Sequence, residues 1–78
     1  MSDINLVDVT VHVDEDLDEQ SRQNVEQALR DLNGVVSVHN DGHAHHLFVV
    51  EYNPDQLKAQ HVLACVQGQG VHAELLGL

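Results

Sequence analysis

Four histidines lie close together in the segment HNDGHAHH, which spans residues 39–46. Neutral imidazole is a common ligand of borderline transition metals, and several imidazoles in one turn lower the entropy cost of assembling a coordination shell. This spacing predicts a site for Zn, Ni, Co or Cu(II), with His39, His43, His45 and His46 as candidate ligands. The alternative is a solvated polar turn that is rich in histidine.

The segments on either side of these histidines, VVSVH and HHLFVVEY, are rich in the β-branched and aromatic residues that favour strands. An Asp-Gly pair between two strands is typical of a hairpin turn, in which glycine supplies the positive φ angle. The sequence therefore predicts a hairpin closed by residues 40–44, with the histidines at its tip.

Hydrophobic periodicity predicts the remaining elements. The valines of residues 7–13 alternate with polar residues, and residues 71–75 repeat this pattern, which indicates two more strands. Apolar residues at helical spacing predict one helix over residues 18–33, with Asp16 or Asp18 as its N-cap. A second helix is predicted to begin at Asn53 and Pro54 and to end at residues 68–70.

The predicted order is βαββαβ. Right-handed crossovers then give an α+β ferredoxin-like sandwich, with a four-stranded antiparallel sheet in the order 4-1-3-2 and two helices on one face. The 78 residues suffice for one domain, 1–78, with one modest core.

Strand alternation predicts which side chains face away from the helices. If residues such as Val9, Val36 and Val50 face the helices, then four histidines share the open side and converge at one corner, beside His43 at the tip. These four are His12, His39, His45 and His72. His46 has the opposite parity and is expected near the helix side. Two or three of the six could share an ion, or a second chain could complete the site.

The apolar residues Leu47 and Val49 are expected on the same open face, where a protein partner or a second copy could cover them. A formal net charge of −10 disfavours nucleic acid and anionic membranes as partners and favours cations and basic protein surfaces.

Cys65 is the only cysteine, which excludes a Cys-based zinc site and an internal disulfide. The sequence shows neither an export signal at its beginning nor an apolar run approaching about 18 residues, so a cytoplasmic protein without a membrane span is expected.

The acidic segment after residue 13 does not match a calcium loop, because Glu19 and Val25 stand where Gly and a bidentate Glu are required. With no nucleophile paired to a base and no phosphate-binding loop, an enzyme is not expected.

Several segments together resemble the heavy-metal-associated domain family, which includes copper chaperones and the N-terminal domains of metal-transporting P-type ATPases. The resemblance rests on VTVHV, VEQALRDLNGV, LFVVEYNPDQL and VLACVQGQGVHAELLGL, including the closing Gly-x-x-Ala-x-Leu of residues 70–75. It implies the ferredoxin-like fold and a metal-handling role.

The chain departs from that family at its metal-binding motif. The alignment of VEQAL puts Asp18 and Ser21 where the family has the Cys-x-x-Cys pair that binds Cu(I). We therefore expect no Cu(I) site of that kind. The leading hypothesis is a small metal carrier, buffer or sensor with histidine ligands for a divalent ion, and the alternative is a metal-free module that docks a protein through its open sheet face.

Overall fold

A computed structural model of the chain describes residues 5–40 and 44–76. The elements in chain order are β1 (Val7–Val13), α1 (Glu19–Arg30), β2 (Val35–His39), β3 (Leu47–Tyr52), α2 (Ala59–Gln67) and β4 (Ala73–Leu76). The four strands form one antiparallel sheet in the order β2-β3-β1-β4, so the predicted ferredoxin-like topology is confirmed. Neither helix in this described part has the length and apolar character that a membrane crossing needs.

The core lies between the sheet and the two helices. It is built mainly from valines, as the near absence of aromatic residues requires, and Phe48 is the largest fully buried side chain. Val25 and Leu29 from α1 and Val62 and Val66 from α2 close it on the helix side. The alternating valines of β1 therefore face the helices, and the polar residues between them face the other side of the sheet.

The first helix begins where the sequence predicts. Asp18 is its N-cap, and its Oδ1 accepts a hydrogen bond of 2.7 Å from the backbone N–H of Ser21. This bond satisfies one of the amide groups that the first turn leaves without a partner.

The predicted start of the second helix at Asn53 and Pro54 is wrong. The Asn53 side chain accepts from the N–H of Asp55 and closes a separate turn, and α2 begins six residues later with Lys58 as its N-cap. The carbonyl of Asn53 accepts from the N–H groups of Gln56 and Leu57, so this segment closes as a turn, and Leu57 at its end is buried in the core.

The predicted burial of Val36 is also wrong, because β2 contains a β-bulge. Val35 pairs with Tyr52 and Ser37 pairs with Glu51, which leaves Val36 as an extra residue without a partner. A bulge shifts the alternation of the strand by one residue. Val36 is accordingly 57% exposed, whereas Val38 is buried.

The turn between α1 and β2 requires glycine. Gly34 has a φ angle of +110°, and a Cβ atom there would lie 3.1 Å from the Cβ atoms of both Gln56 and Leu57. The carbonyl of Gly34 also accepts a hydrogen bond from the N–H of Asn53, which ties this turn to the end of β3.

Candidate metal centre

Three potential metal ligands meet where β1 ends and β4 begins. The Nδ1 atom of His12 lies 3.3 Å from Oδ1 of Asp14 and 3.7 Å from Oε1 of Glu74. One potential ligand atom from each residue lies within 4.8 Å of the other two. No other group of three His, Cys, Asp or Glu side chains within residues 5–40 and 44–76 meets this distance.

The sheet register places these residues. His12 pairs with Glu74 across β1 and β4, so both side chains project from the face that points away from the helices. Asp14 follows β1 directly, and its backbone N–H donates to the carbonyl of His72, which holds this position against the start of β4.

The distances suit a small divalent ion. Two ligands that each bind a tetrahedral ion at about 2.1 Å lie roughly 3.4 Å apart, close to the separations of His12 from the two carboxylates. The Nδ1 atom of His12 is buried, and it has no hydrogen-bond partner among the described residues. A buried nitrogen without a partner, facing two carboxylates, can donate its lone pair to a cation.

His46 lies beside this group. Its ring is stacked on that of His12, with centroids 5.7 Å apart and planes inclined by 21°. Its Nδ1 is 2.7 Å from the carbonyl oxygen of Val13 and must donate the proton, which leaves Nε2 as the lone-pair nitrogen of the neutral ring. The prediction that His46 lies apart from the open-face histidines is wrong, because it precedes the first strand residue and does not follow the alternation of β3.

Two of the other predicted histidines, His39 and His45, are not part of this group. His39 ends the outer strand β2, where it is exposed and pairs with Val49. His45 is exposed in the turn before β3, and its carbonyl accepts from the side chain of Asn40. His43 lies outside the described residues, as does the Asp-Gly centre of the predicted hairpin turn. The role of these histidines as ligands stays a prediction.

His72 pairs with a different carboxylate. Its backbone N–H donates to both carboxylate oxygens of Glu15, at 2.8 and 3.1 Å, and its ring Nδ1 lies 2.7 Å from Oε2. The side-chain hydrogen bond to Glu15, together with the charge of that carboxylate, raises the pKa of His72. The hydrogen bonds from His72 lower the pKa of Glu15 in turn.

The two positions that correspond to the family's cysteines form a helix cap. The backbone hydrogen bond from Ser21 lowers the pKa of Asp18, so the cap carries a stable negative charge. The single cysteine lies elsewhere, on α2, where Cys65 is half-buried and packs against the core. Its burial, and then the nearby charge of Asp31, raise the pKa of its thiol, which disfavours the thiolate.

Sequence reasoning missed Asp14 and Glu74 as candidate ligands. Asp14 opens the acidic segment that does not match a calcium loop, and Glu74 lies in the last predicted strand without a histidine beside it that belongs to the dense segment 39–46. The alternation of β4 could have identified Glu74, because it puts this residue on the open face with His12. The predicted strand order also places β4 beside β1, where the structure pairs Glu74 with His12.

Solved structures share this fold, and two of the three described here are copper-binding domains. Oxidised MerP from Ralstonia metallidurans CH34 superposes with a TM-score of 0.84 at 16% identity, covering 94% of this chain and 100% of the other. A copper-binding domain from HMA7, a P-type ATPase, gives 0.81 at 23% identity, with coverage of 90% and 93%. The copper(I)-loaded first domain of the human copper chaperone for SOD1 gives 0.77 at 23% identity, with coverage of 94% and 96%.

Comparison of the sequence with protein-family models found no match, and comparison with curated proteins found none either. The likeness is therefore one of structure. The chain has the fold of the heavy-metal-associated domains, as the sequence resemblance implied.

Proposed function

We propose that this protein binds a divalent transition-metal ion at His12, Asp14 and Glu74 and acts as a metal carrier, buffer or sensor. The observation that carries the proposal is the buried Nδ1 of His12, which faces two carboxylates at distances compatible with one ion. The copper-binding domains that share this fold support a metal-binding role.

The donor set favours particular metals. One imidazole nitrogen and two carboxylate oxygens are borderline to hard ligands, which suit Zn, Co or Ni better than a soft monovalent ion. A Cys-x-x-Cys site is absent from the sequence. Cu(II) also accepts this ligand set, so it belongs among the metals to be tested.

The position of the site suits an exchangeable ion. The side chains of Asp14 and Glu74 are 60% and 65% exposed, and that of His12 is 34% exposed. Ligands at the surface can be reached by a second set of ligands on another protein. His46, whose ring lies against His12, is placed to supply a further imidazole or to fix the ring that binds.

Calorimetric titration of tag-free, chelator-treated protein with Zn, Co, Ni and Cu(II) tests the proposal. We expect one ion per chain, with binding weakened about tenfold or more by His12→Ala and weakened by Glu74→Gln. The matched controls are His61→Ala and Glu19→Gln, which remove the same groups from exposed helical positions and should leave the affinity unchanged.

A parallel titration of the double variant His43→Ala, His45→Ala separates this site from the hairpin tip. Circular dichroism of every variant establishes that the fold is intact. Unchanged affinity in His12→Ala, or loss of binding only in the double variant, would contradict the assignment to His12, Asp14 and Glu74. Cu(I) titrated in the presence of a competing chelator should bind no more tightly to the wild type than to His12→Ala.

A further inference from the structure

The side of the sheet that faces away from the helices, here called the open face, has an ordered arrangement of charge and apolar area. The strand register divides it into three rows. The first row is Ser37, Glu51 and Asp8; the second is His39, Val49, Thr10 and Leu76; the third is Leu47, His12 and Glu74. Apolar side chains thus occupy the middle, and carboxylates stand at both ends.

Within residues 5–40 and 44–76, neither carboxylate of the first row forms a salt bridge with a basic side chain. Asp8 and Glu51 are direct cross-strand neighbours, an arrangement in which like charges destabilise a sheet. A hydroxyl, that of Ser37, donates to Glu51 at 3.3 Å. The three basic residues of the chain all lie in the helical layer: Arg22, Arg30 and Lys58.

The apolar side chains of the open face are accessible to a partner. In the middle row Leu76 is 40% exposed and Val49 is half-buried, and Leu47 of the third row is also half-buried, with no element of the described chain packed over them. The two acidic ends are four residues apart along β1, which corresponds to about 13 Å in a strand.

From this arrangement we propose that the open face docks a protein partner whose surface carries Lys or Arg side chains about 13 Å apart on either side of an apolar side chain. The apolar contact would remove Val49 and Leu76 from water, and the basic groups would relieve the repulsion between Asp8 and Glu51. This surface has a different role from the proposed metal centre, although His12 and Glu74 belong to both.

Charge excludes the other occupants. A second copy of the chain would bring two acidic faces together, each on a molecule of net charge −10. Nucleic acid would meet the same repulsion from its phosphates.

The probe is a synthetic extended peptide, Lys-Ser-Leu-Ser-Lys-Ser-Leu-Ser-Lys, because alternate residues of a strand share one face and place its lysines at the required spacing. Amide chemical shifts of the isotope-labelled protein would be followed during titration in the presence of EDTA, which keeps the metal centre empty. We expect shift changes confined to the open face and binding that weakens as salt is raised.

The double variant Asp8→Asn, Glu51→Gln should weaken peptide binding about fivefold. The matched double variant Glu19→Gln, Asp31→Asn removes the same charge from the α1 region and should leave binding unchanged. Equal losses in the two variants, shift changes on the helices, or undiminished binding of a peptide with Glu in place of Lys would overturn the proposal. Self-association in sedimentation at the same protein concentration would overturn it in favour of a dimer.

Discussion

The imidazole of His46 donates a hydrogen bond to the carbonyl of Val13 and at the same time stacks on the ring of His12. One residue thereby joins the turn before β3 to the end of β1, beside the candidate metal centre. A hydrogen bond that fixes the tautomer of an imidazole also orients it, which is a common feature of metal sites. The contact therefore contributes both to stability and to the geometry of His12.

Replacement of His46 should measure this contribution. His46→Phe retains a flat ring against His12 but removes the donor to Val13, so the free energy of unfolding should fall by about 1 kcal/mol. Urea denaturation at neutral pH gives the difference. His45→Phe, at an exposed neighbouring position, should change stability by less than about 0.5 kcal/mol, and equal effects in the two variants would contradict a specific role for the His46 hydrogen bond.

The contact between Glu15 and His72 predicts a pH dependence of stability. Because the pKa of His72 is raised on folding, its contribution is complete below the ordinary value of 6.5 and is lost as pH rises through the folded pKa. Because the pKa of Glu15 is lowered, its contribution is complete above the ordinary value of 4.5 and is lost as pH falls. The pair should therefore stabilise the fold most between these two values.

Glu15→Gln tests this window. The stability difference between the wild type and the variant, measured by urea denaturation in EDTA, should be largest between pH 4.5 and 6.5 and smaller on both sides. In a proton NMR titration the pKa of His72 should fall in the variant, whereas Glu19→Gln should leave it unchanged. A difference that does not vary with pH would show that the contact contributes no charge interaction.

The turn at Gly34 gives a prediction that is independent of any ligand. Gly34→Ala would place a Cβ atom 3.1 Å from two others and would force a side chain into a φ angle of +110°. We expect the free energy of unfolding to fall by more than about 1 kcal/mol. Thermal unfolding measures this effect, and Gly68→Ala, at a helix C-cap with ordinary φ, is the control that should cost less.

The strand order could be predicted because the valines of residues 7–13 define a strand with a single buried face, and because Asp18 marks the start of the first helix. These are local signals with strong physical causes. The predicted end of that helix at residue 33 is wrong, since the helix ends at Arg30 with Asp31 as its C-cap and a turn leads to Gly34.

The bulge at Val36 has no such local signal, since three valines in one short strand fit either register. The start of α2 comes after a separate turn closed at Asn53, and the burial of Leu57 at the end of that turn is a tertiary contact that no local pattern shows.

The candidate metal centre overlaps the sequence prediction only at His12 and the neighbouring His46. Strand parity places His12 on the open face, whereas the two carboxylates belong to no dense histidine motif. Asp14 and Glu74 are brought to His12 by the pairing of β1 with β4, which joins residues about 60 positions apart in the sequence. Parity applied to acidic residues as well as to histidines would have included Glu74.

Metal binding at His12 is tested most directly by a crystal structure of the protein grown with zinc, with diffraction data collected on both sides of the zinc absorption edge. We predict an anomalous peak about 2.0–2.1 Å from Nδ1 of His12, within bonding distance of carboxylate oxygens of Asp14 and Glu74. A peak bound only by histidines of the segment 39–45, or no ordered zinc near His12 in crystals that contain the metal, would contradict this prediction.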